Sequence, residues 1–552
     1  MECRALPFRQ LPHQSSLFLD FFDDFPSVAK FYGHPPTLQA VRDAASALTY
    51  PPERRSEVAA ALRAQNARFG AGDAARANLE RFGNGAAAVV SGQQVGLFGG
   101  PSYALYKAVS AVHIAQELTS AGVDAVPIFW MATEDHDLEE VRHSTWFHGG
   151  KLRHFELAES GEAGQPVGQI ALGPGVQEMA EQAADILRAA GGELVATILR
   201  ESYGAQETYG SAFGKLFARL FSERGLILLD PLDARLRPAA SEVLRRAVEK
   251  RDEVIGALLA RNKQLENADY AAQVKVTARS TLLFYMGGGP ASETRAGQRG
   301  TRNGVRTPIT ASGGKFACGE LRWTADELLA AMKAEPENFS ANALLRPVVQ
   351  DYLLPTAAYI GGPAEIAYFA QAEVLYQKLL GRMTVILPRA SFTLVDAKVE
   401  KLLRRYGLQV EDVWRGSQEL RRKMETASVP KTLAKRFAAA TLDTERKLAA
   451  LKREIVRLDR TLGGAVETAR KKISFQLEKL KRKAGKAEAF KAGLLDGHQE
   501  FLESLLYPHK TEQSRELCFL PFLAQWGPGA MKELLRAAAC SKSQGHKILR
   551  IP

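Results

Sequence analysis

The stretch AAAVVSGQQVGLFGGPSYALYKAVSAVHIAQEL, residues 86–118, decides how the chain is read. Ala86 to Val90 is a run of small apolar residues of the kind that forms a strand buried on both faces. Ser91-Gly92 ends the run, and Gly96, Gly99 and Gly100 follow before Pro101. From Ser102 a helical period takes over, with Ala104, Leu105, Ala108, Val109, Val112 and Ala115 on one broad apolar face. Strand, glycine-rich loop and helix in this order belong to an open α/β sheet. Such a loop can hold a phosphate, because glycine admits its close approach and the N–H groups of the first helical turn point at it. Tyr103, Tyr106 and Lys107 stand on the first turns of the helix, within reach of the same ligand. A tight strand-to-helix turn without a ligand is the alternative. The loop is not a Walker A sequence, since Gly-Lys-Ser/Thr is missing, and it is not the dinucleotide pattern G-x-G-x-x-G.

Working outward, a second apolar run, AVPIFWMA (Ala125–Ala132, with Trp130), leads straight into Glu134, Asp135, His136 and Asp137. At the C-terminal edge of a parallel strand these groups can bind a metal, act as acid and base, or hold an amine; otherwise they are acids that favour the start of the next helix. Residues 145–225 read as an insertion, and Gly225 to Pro231 as a further buried strand ending in Asp230. Residues 287–317, rich in Gly, Arg and Thr, read as a loop, either a mobile basic cover or a disordered segment. In Asn342–Phe369, Arg346, Gln350 and Asp351 precede an apolar run containing Tyr359. Gly361-Gly362-Pro363 then opens a helix with Glu365 in its first turn and Tyr368 one turn on. A last strand, Met383–Leu387, is followed by Pro388-Arg389.

The chain has 552 residues, 46% hydrophobic and 24% charged, which predicts a folded protein of two to four domains. No apolar run approaches membrane-span length, and MECRALPFRQ has no signal-peptide core, so a cytoplasmic protein is expected. Cys3, Cys318, Cys518 and Cys540 are scattered without a CxxC pair, against structural zinc or a disulfide framework. The net charge of +11 is local: residues 401–500 hold 25 Lys and Arg against 13 Asp and Glu, the rest of the chain 48 against 49. Within that basic helical segment Leu448, Leu451, Ile455, Leu458 and Leu462 form a heptad seam. It resumes after Gly463-Gly464 through Val466, Ala469, Ile473, Leu477 and Leu480. A helical hairpin is expected. Its charges lack interleaved aromatics, which argues against a nucleic-acid arm.

SGQQVGLFGGPSYALYK, EDHDLEEV and RPVVQDYLLPTAAYIGGPAEIAYF, in this order, resemble the bacillithiol biosynthesis cysteine-adding enzymes, the BshC family of cysteine ligases. The resemblance runs from LPHQSSLFLDFF to LYPHKTEQSRELCFLPFL. Ser91 stands where Thr is usual, and Ala364 and Phe369 where Gly and Trp are usual.

The resemblance implies an α/β fold with a Rossmann-like core, similar to nucleotidyltransferases and class I synthetases. It also implies helical insertions and a C-terminal α-helical coiled coil used in homodimers. The expected division is 1–144 for N-terminal helices and the first half of the core, 145–341 for connecting insertions with a core strand near 226–230, and 342–394 for the second half. Residues 395–490 would be the basic hairpin and 491–552 a segment packing on the core.

The implied reaction joins the carboxyl of L-cysteine to the amine of glucosaminyl-malate. Another ATP-dependent amino-acid ligase and an RNA-binding protein are the alternatives. The synthetase signature motifs are absent. A carboxylate must be activated before it can be joined, so ATP is the expected co-reactant, with Mg2+ as an accompanying ion. For this chemistry Lys107 suits phosphates; Asp135, His136 and Asp137 suit an ammonium group, Mg2+ or a general base; Arg346 and Arg389 suit carboxylates. Ser91, Gly92, Gln93, Gln94, Gly99, Gly100, Pro101, Ser102, Tyr103, Trp130, Glu134, Gln350, Asp351, Tyr359, Gly361, Gly362 and Glu365 complete the expected substrate or nucleotide site.

Overall fold

The computed structural model describes residues 3–158, 164–287, 305–539 and 545–551. The chain forms two compact units. The first takes in Met1–His148, Arg153–Phe392 and Ser514–Leu549; the second takes in Gly149–Leu152, Thr393–Gln513 and Arg550–Pro552.

The apolar run of the first quoted stretch becomes strand β1 (Ala87–Gln93), fully buried except at its end. After the glycine loop comes helix α1 (Ser102–Ser120), then β2 (Ala125–Met131), the one-turn helix α2 (Leu138–Val141) and β3 (Ile227–Leu229). Further on lie β4 (Ser280–Tyr285), β5 (Thr307–Ser312), β6 (Lys315–Cys318), β7 (Leu321–Trp323) and β8 (Phe339–Ala341). Helix α3 (Arg346–Leu353), β9 (Thr356–Gly361), α4 (Pro363–Leu379) and β10 (Val385–Pro388) follow.

Two sheets matter for the site. The core sheet has the order β10-β9-β1-β2-β3 and every pairing in it is parallel. From β1 the chain moves outward one way through β2 and β3; β9 and β10 extend the other way. The strand order therefore reverses between β1 and β9, and in open α/β sheets the crevice beyond the carboxyl ends at such a point is where ligands bind. The Ser91 hydroxyl donates to the Ile360 carbonyl at 2.8 Å across this junction. The second sheet is antiparallel, in the order β7-β6-β5-β4-β8. It corrects the reading of 287–317 as a loop: residues 307–312 and 315–317 are paired strands, while 288–304 lie outside the described residues. Thr, Ile and Phe at those positions supply the β-branched and aromatic side chains a half-buried strand needs, and Gly313-Gly314, both at positive φ, make the turn.

In the second unit, helices α5 (Lys431–Leu458) and α6 (Gly463–Ala492) form a hairpin shorter than the expected 395–490, residues 397–427 forming separate helices before it; the hairpin is tied by Arg470–Glu445 at 3.0 Å and Lys452–Glu467 at 3.5 Å. The heptad seam divides within it. Leu448, Ile455 and Leu477 are half-buried and Val466 is buried, while Leu451, Leu458, Ile473 and Leu480 are exposed, Leu458 at 85%. Among the described residues no helix is long and apolar enough to cross a membrane.

One close approach in the core sheet is testable. Gly92 sits opposite Trp130 in the β1–β2 register, and a Cβ there would lie 2.6 Å from the Trp130 carbonyl oxygen. Gly92→Ala should therefore cost about 1–3 kcal/mol, the usual range for overpacking, measured as a lowered denaturation midpoint; an unchanged midpoint would refute the packing argument.

Candidate functional site

A cavity of about 550 Å3 opens beyond the carboxyl ends of β1, β2, β9 and β10. The sequence places residues there for a simple reason: a parallel strand ends where its apolar run ends, so the next few polar side chains of each strand converge on one edge. Gly92, Gln93 and Gln94 come from the end of β1, Trp130, Glu134 and Asp135 from the end of β2, Tyr359, Gly362 and Glu365 from β9 and the start of α4, and Arg389 from the end of β10. Tyr103 and Lys107 descend from α1, and Arg346 from the start of α3. The structure thus gathers these thirteen expected residues around one space.

Lys107 is central to it. Its ammonium group donates to the Gly92 carbonyl at 2.8 Å and the Gln93 side-chain oxygen at 2.7 Å, and pairs with Glu365 at 2.5 Å. Glu365 also accepts the Gly362 N–H at 2.7 Å, capping α4, and the Tyr359 hydroxyl at 2.5 Å. Burial pulls the Lys107 pKa down and Glu365 opposes it; burial pushes Glu365 up, but the Lys107 charge prevails and lowers it. Arg346 donates to the Tyr368 hydroxyl at 2.8 Å and to the Gln350 oxygen at 3.1 Å. Arg389 lies with its guanidinium carbon 5.8 Å from the Tyr103 ring centre.

The acids after β2 are engaged one by one. Glu134 is ion-paired with buried Arg237. Asp135 accepts the His136 N–H at 2.8 Å and lies 3.5 Å from Arg306. Burial alone would raise its pKa, but the His136 hydrogen bonds and the Arg306 charge hold it at about 2. His136 and Asp137 do not line the cavity. The His136 ring is 5.9 Å from Phe284 with Nδ1 3.2 Å from Arg306, and Asp137 caps α2 by accepting the Glu140 N–H at 3.2 Å. Among the described residues no three His, Cys, Asp or Glu side chains are arranged to hold a metal ion. With Glu134 and Asp135 committed to arginines and Asp137 to a helix start, this group does not fit a protein-held Mg2+.

The glycine loop lies apart from this cavity. Gly99, Gly100, Pro101 and Ser102 do not line the cavity. A Cβ on Gly99, whose φ is +87°, would fall 2.7 Å from Phe519 and 3.0 Å from Leu216, and its N–H donates to the Tyr203 hydroxyl at 3.0 Å. The Ser102 N–H and hydroxyl both donate to the Leu517 carbonyl, at 2.8 and 2.6 Å. Protein groups thus take up the N–H groups of Gly99 and Ser102, and this part of the loop packs against Tyr203, Leu517 and Phe519. Ser91 and Gly361 are buried in the sheet. Gln350 and Asp351 lie behind Arg346, where Asp351 accepts from Gln350 at 2.9 Å and Tyr376 at 2.6 Å and burial raises its pKa.

The sequence reading left out Glu140, Phe284, Arg306, Asn342 and Arg515, all lining the cavity. Glu140 lies in the quoted EDHDLEEV motif and Arg515 in the quoted C-terminal stretch, so both carried a signal. Phe284 and Arg306 reach the site through the antiparallel sheet, a pairing with no local trace.

The family profile described as "Bacillithiol biosynthesis BshC, N-terminal Rossmann-like domain" matches residues 1–390, and "Bacillithiol biosynthesis BshC, C-terminal coiled-coil domain" matches residues 392–551. Relatives carrying the name "Putative cysteine ligase BshC" include a protein of Koribacter versatilis (strain Ellin345), 41% identical over 99% of both chains. One from Solibacter usitatus (strain Ellin6076) is 38% identical over 96% of both. One from Salinibacter ruber (strain DSM 13855 / M31) is 32% identical over 97% of this chain and 96% of its own.

Two measurements check the electrostatics. Lys107→Met leaves Glu365 buried without its cation and should cost about 3–5 kcal/mol, part of which the double variant Lys107→Met with Glu365→Leu should restore; a double variant that loses as much as Lys107→Met and Glu365→Leu added together would show that the pair is not coupled. Asp135, with its folded pKa at about 2 and below the ordinary carboxylate value, contributes stability that is present above the unfolded pKa and lost as pH falls toward 2. Asp135→Asn should flatten the acid side of the stability curve; a variant that loses stability with falling pH as steeply as the parent would contradict this.

Proposed function

Because the chain belongs to the bacillithiol biosynthesis BshC family, we propose that it is a ligase that forms an amide between the carboxyl of L-cysteine and the amine of glucosaminyl-malate, with the carboxyl activated by ATP. The observation that carries this reading is the lining of one cavity at the strand-order reversal. Arg346, Arg389 and Arg515 bring guanidinium groups to a space walled by Tyr103, Trp130, Tyr359 and Tyr368. Guanidinium groups grip carboxylates and phosphates through paired hydrogen bonds, and the reaction brings both: the malate and cysteine carboxyls and the nucleotide phosphates. Flat aromatic surfaces suit a base or a sugar ring. Lys107, paired with Glu365 and bonded to the Gly92 carbonyl, holds the end of β1 against the start of α4 and so positions this lining.

Incubation of the protein with cysteine, ATP, Mg2+ and glucosaminyl-malate should yield bacillithiol, and the nucleotide product identifies the activated species: AMP for an adenylate, ADP for an acyl phosphate. Absence of the thiol product, with nucleotide unconsumed, would overturn the reading.

The same family reading includes assembly of two chains through the hairpin. What supports it is the outward half of the seam, where Leu451, Leu458, Ile473 and Leu480 stand in water on a soluble surface. Each such leucine gains roughly 1.5–3 kcal/mol when fully covered, more than the tenths of a kcal/mol lost to exposed like charges in salt. Leu451→Glu with Leu458→Glu should convert a dimer into a monomer by light scattering; a parent protein already monomeric at micromolar concentration would end the idea.

A further inference from the structure

Amide formation requires that the attacking amine lose a proton, so the ligase reading above, on which this inference rests, needs a base in the cavity. Four carboxylates line it: Glu134, Asp135, Glu140 and Glu365. Three are held by cations: Glu134 by Arg237, Asp135 by Arg306 and Glu365 by Lys107. Among the described residues Glu140 forms no ion pair. Its Oε2 accepts one hydrogen bond, from the Gln94 side-chain nitrogen at 2.8 Å, and that nitrogen also lies 3.3 Å from Asp135. Gln94 therefore fixes the direction of the carboxylate without neutralising it.

We propose that Glu140 is the catalytic base that takes the proton from the acceptor amine as it attacks the activated cysteine. The step balances: the amine nitrogen bonds to the acyl carbon, one of its protons passes to Glu140, and the acyl C–O bond breaks. The phosphate or nucleotide leaves with the electron pair. Glu140 then returns its proton to water. The other three carboxylates serve less well, because a carboxylate shared with an adjacent cation is a weak proton acceptor.

The surroundings agree. Asp135 and Asp137 from its own segment, Lys107 and Tyr103 from α1, and Arg515 from the C-terminal segment face Glu140. Burial and the two aspartates push its pKa up, against the smaller pull of Lys107 and Arg515. Tyr103, pushed up to about 12 by burial, stays neutral. A carboxylate shifted in this direction holds a proton better than an ordinary one and so accepts it more readily. The activity should then fall on the acid side as Glu140 protonates.

The test compares the parent, Glu140→Gln and Glu140→Asp with two acceptors. Glutamine retains a side-chain carbonyl able to accept the Gln94 hydrogen bond but cannot take a proton. With glucosaminyl-malate at pH 7, Glu140→Gln should lower kcat/KM roughly 100-fold or more and abolish the acid limb, with Glu140→Asp between. With hydroxylamine at high concentration, a small α-nucleophile that attacks an activated carboxyl without an enzymic base and gives up its proton to water, Glu140→Gln should form cysteine hydroxamate at close to the parent rate, because activation is intact. Equal loss with both acceptors, or no loss with either, would overturn the assignment while leaving ligation standing. A parent protein that forms neither product would overturn the ligase reading itself, and the base with it.

Discussion

The contact on which the rest of the first unit depends is the one Lys107 makes across the strand-order reversal. From α1 it reaches back to the Gly92 carbonyl at the end of β1 and across to Glu365 at the start of α4. Moving two charges out of water costs several kcal/mol for each ion, and a buried pair repays this only when every remaining polar position is filled. Here it is. The three ammonium protons have three acceptors, and the two Glu365 oxygens take Lys107, the Gly362 N–H and the Tyr359 hydroxyl. One closed set of hydrogen bonds thus fixes the ends of β1 and β9 and the first turn of α4. The walls of the cavity inherit their positions from it.

Much of this was legible in the sequence, and the reason is strand physics. Apolar runs buried on both faces are recognisable because they do not alternate, and the polar residues that follow them must lie at one edge of the sheet. That is why Gly92, Gln93, Trp130, Glu134, Asp135, Tyr359, Gly362, Glu365 and Arg389 share the cavity. The same logic failed where a local pattern had two physical explanations. The glycines at 96, 99 and 100 suit anion approach, but glycine also serves close packing, and at Gly99 the neighbour is Phe519, more than four hundred residues away in sequence. His136 and Asp137 share a motif with Asp135 yet turn to other work, because the backbone after a strand rotates each successive side chain to a different side. Phe284 and Arg306 could not be found at all, since their place depends on strand pairing at long range.

The hairpin shows the limit of a periodic pattern in another way. Heptad spacing marks which residues share a stripe on one helix, and says nothing about how wide a strip the neighbouring helix covers. Leu448, Ile455 and Val466 are covered within the hairpin, and Leu451, Leu458 and Leu480 are left outside it.

The tie between Ser102 and Leu517 has a consequence for the order of events at the ribosome. The two residues are separated by 415 positions, and Arg515, two residues before Leu517, is part of the cavity wall. The N-terminal strands emerge early and can pair as they do, but the start of α1 keeps its polar groups unmet until nearly the whole chain has been synthesised. The core sheet is complete in sequence once Pro388 has emerged, but the cavity lacks the Arg515 side of its wall until the chain has grown by more than a hundred further residues.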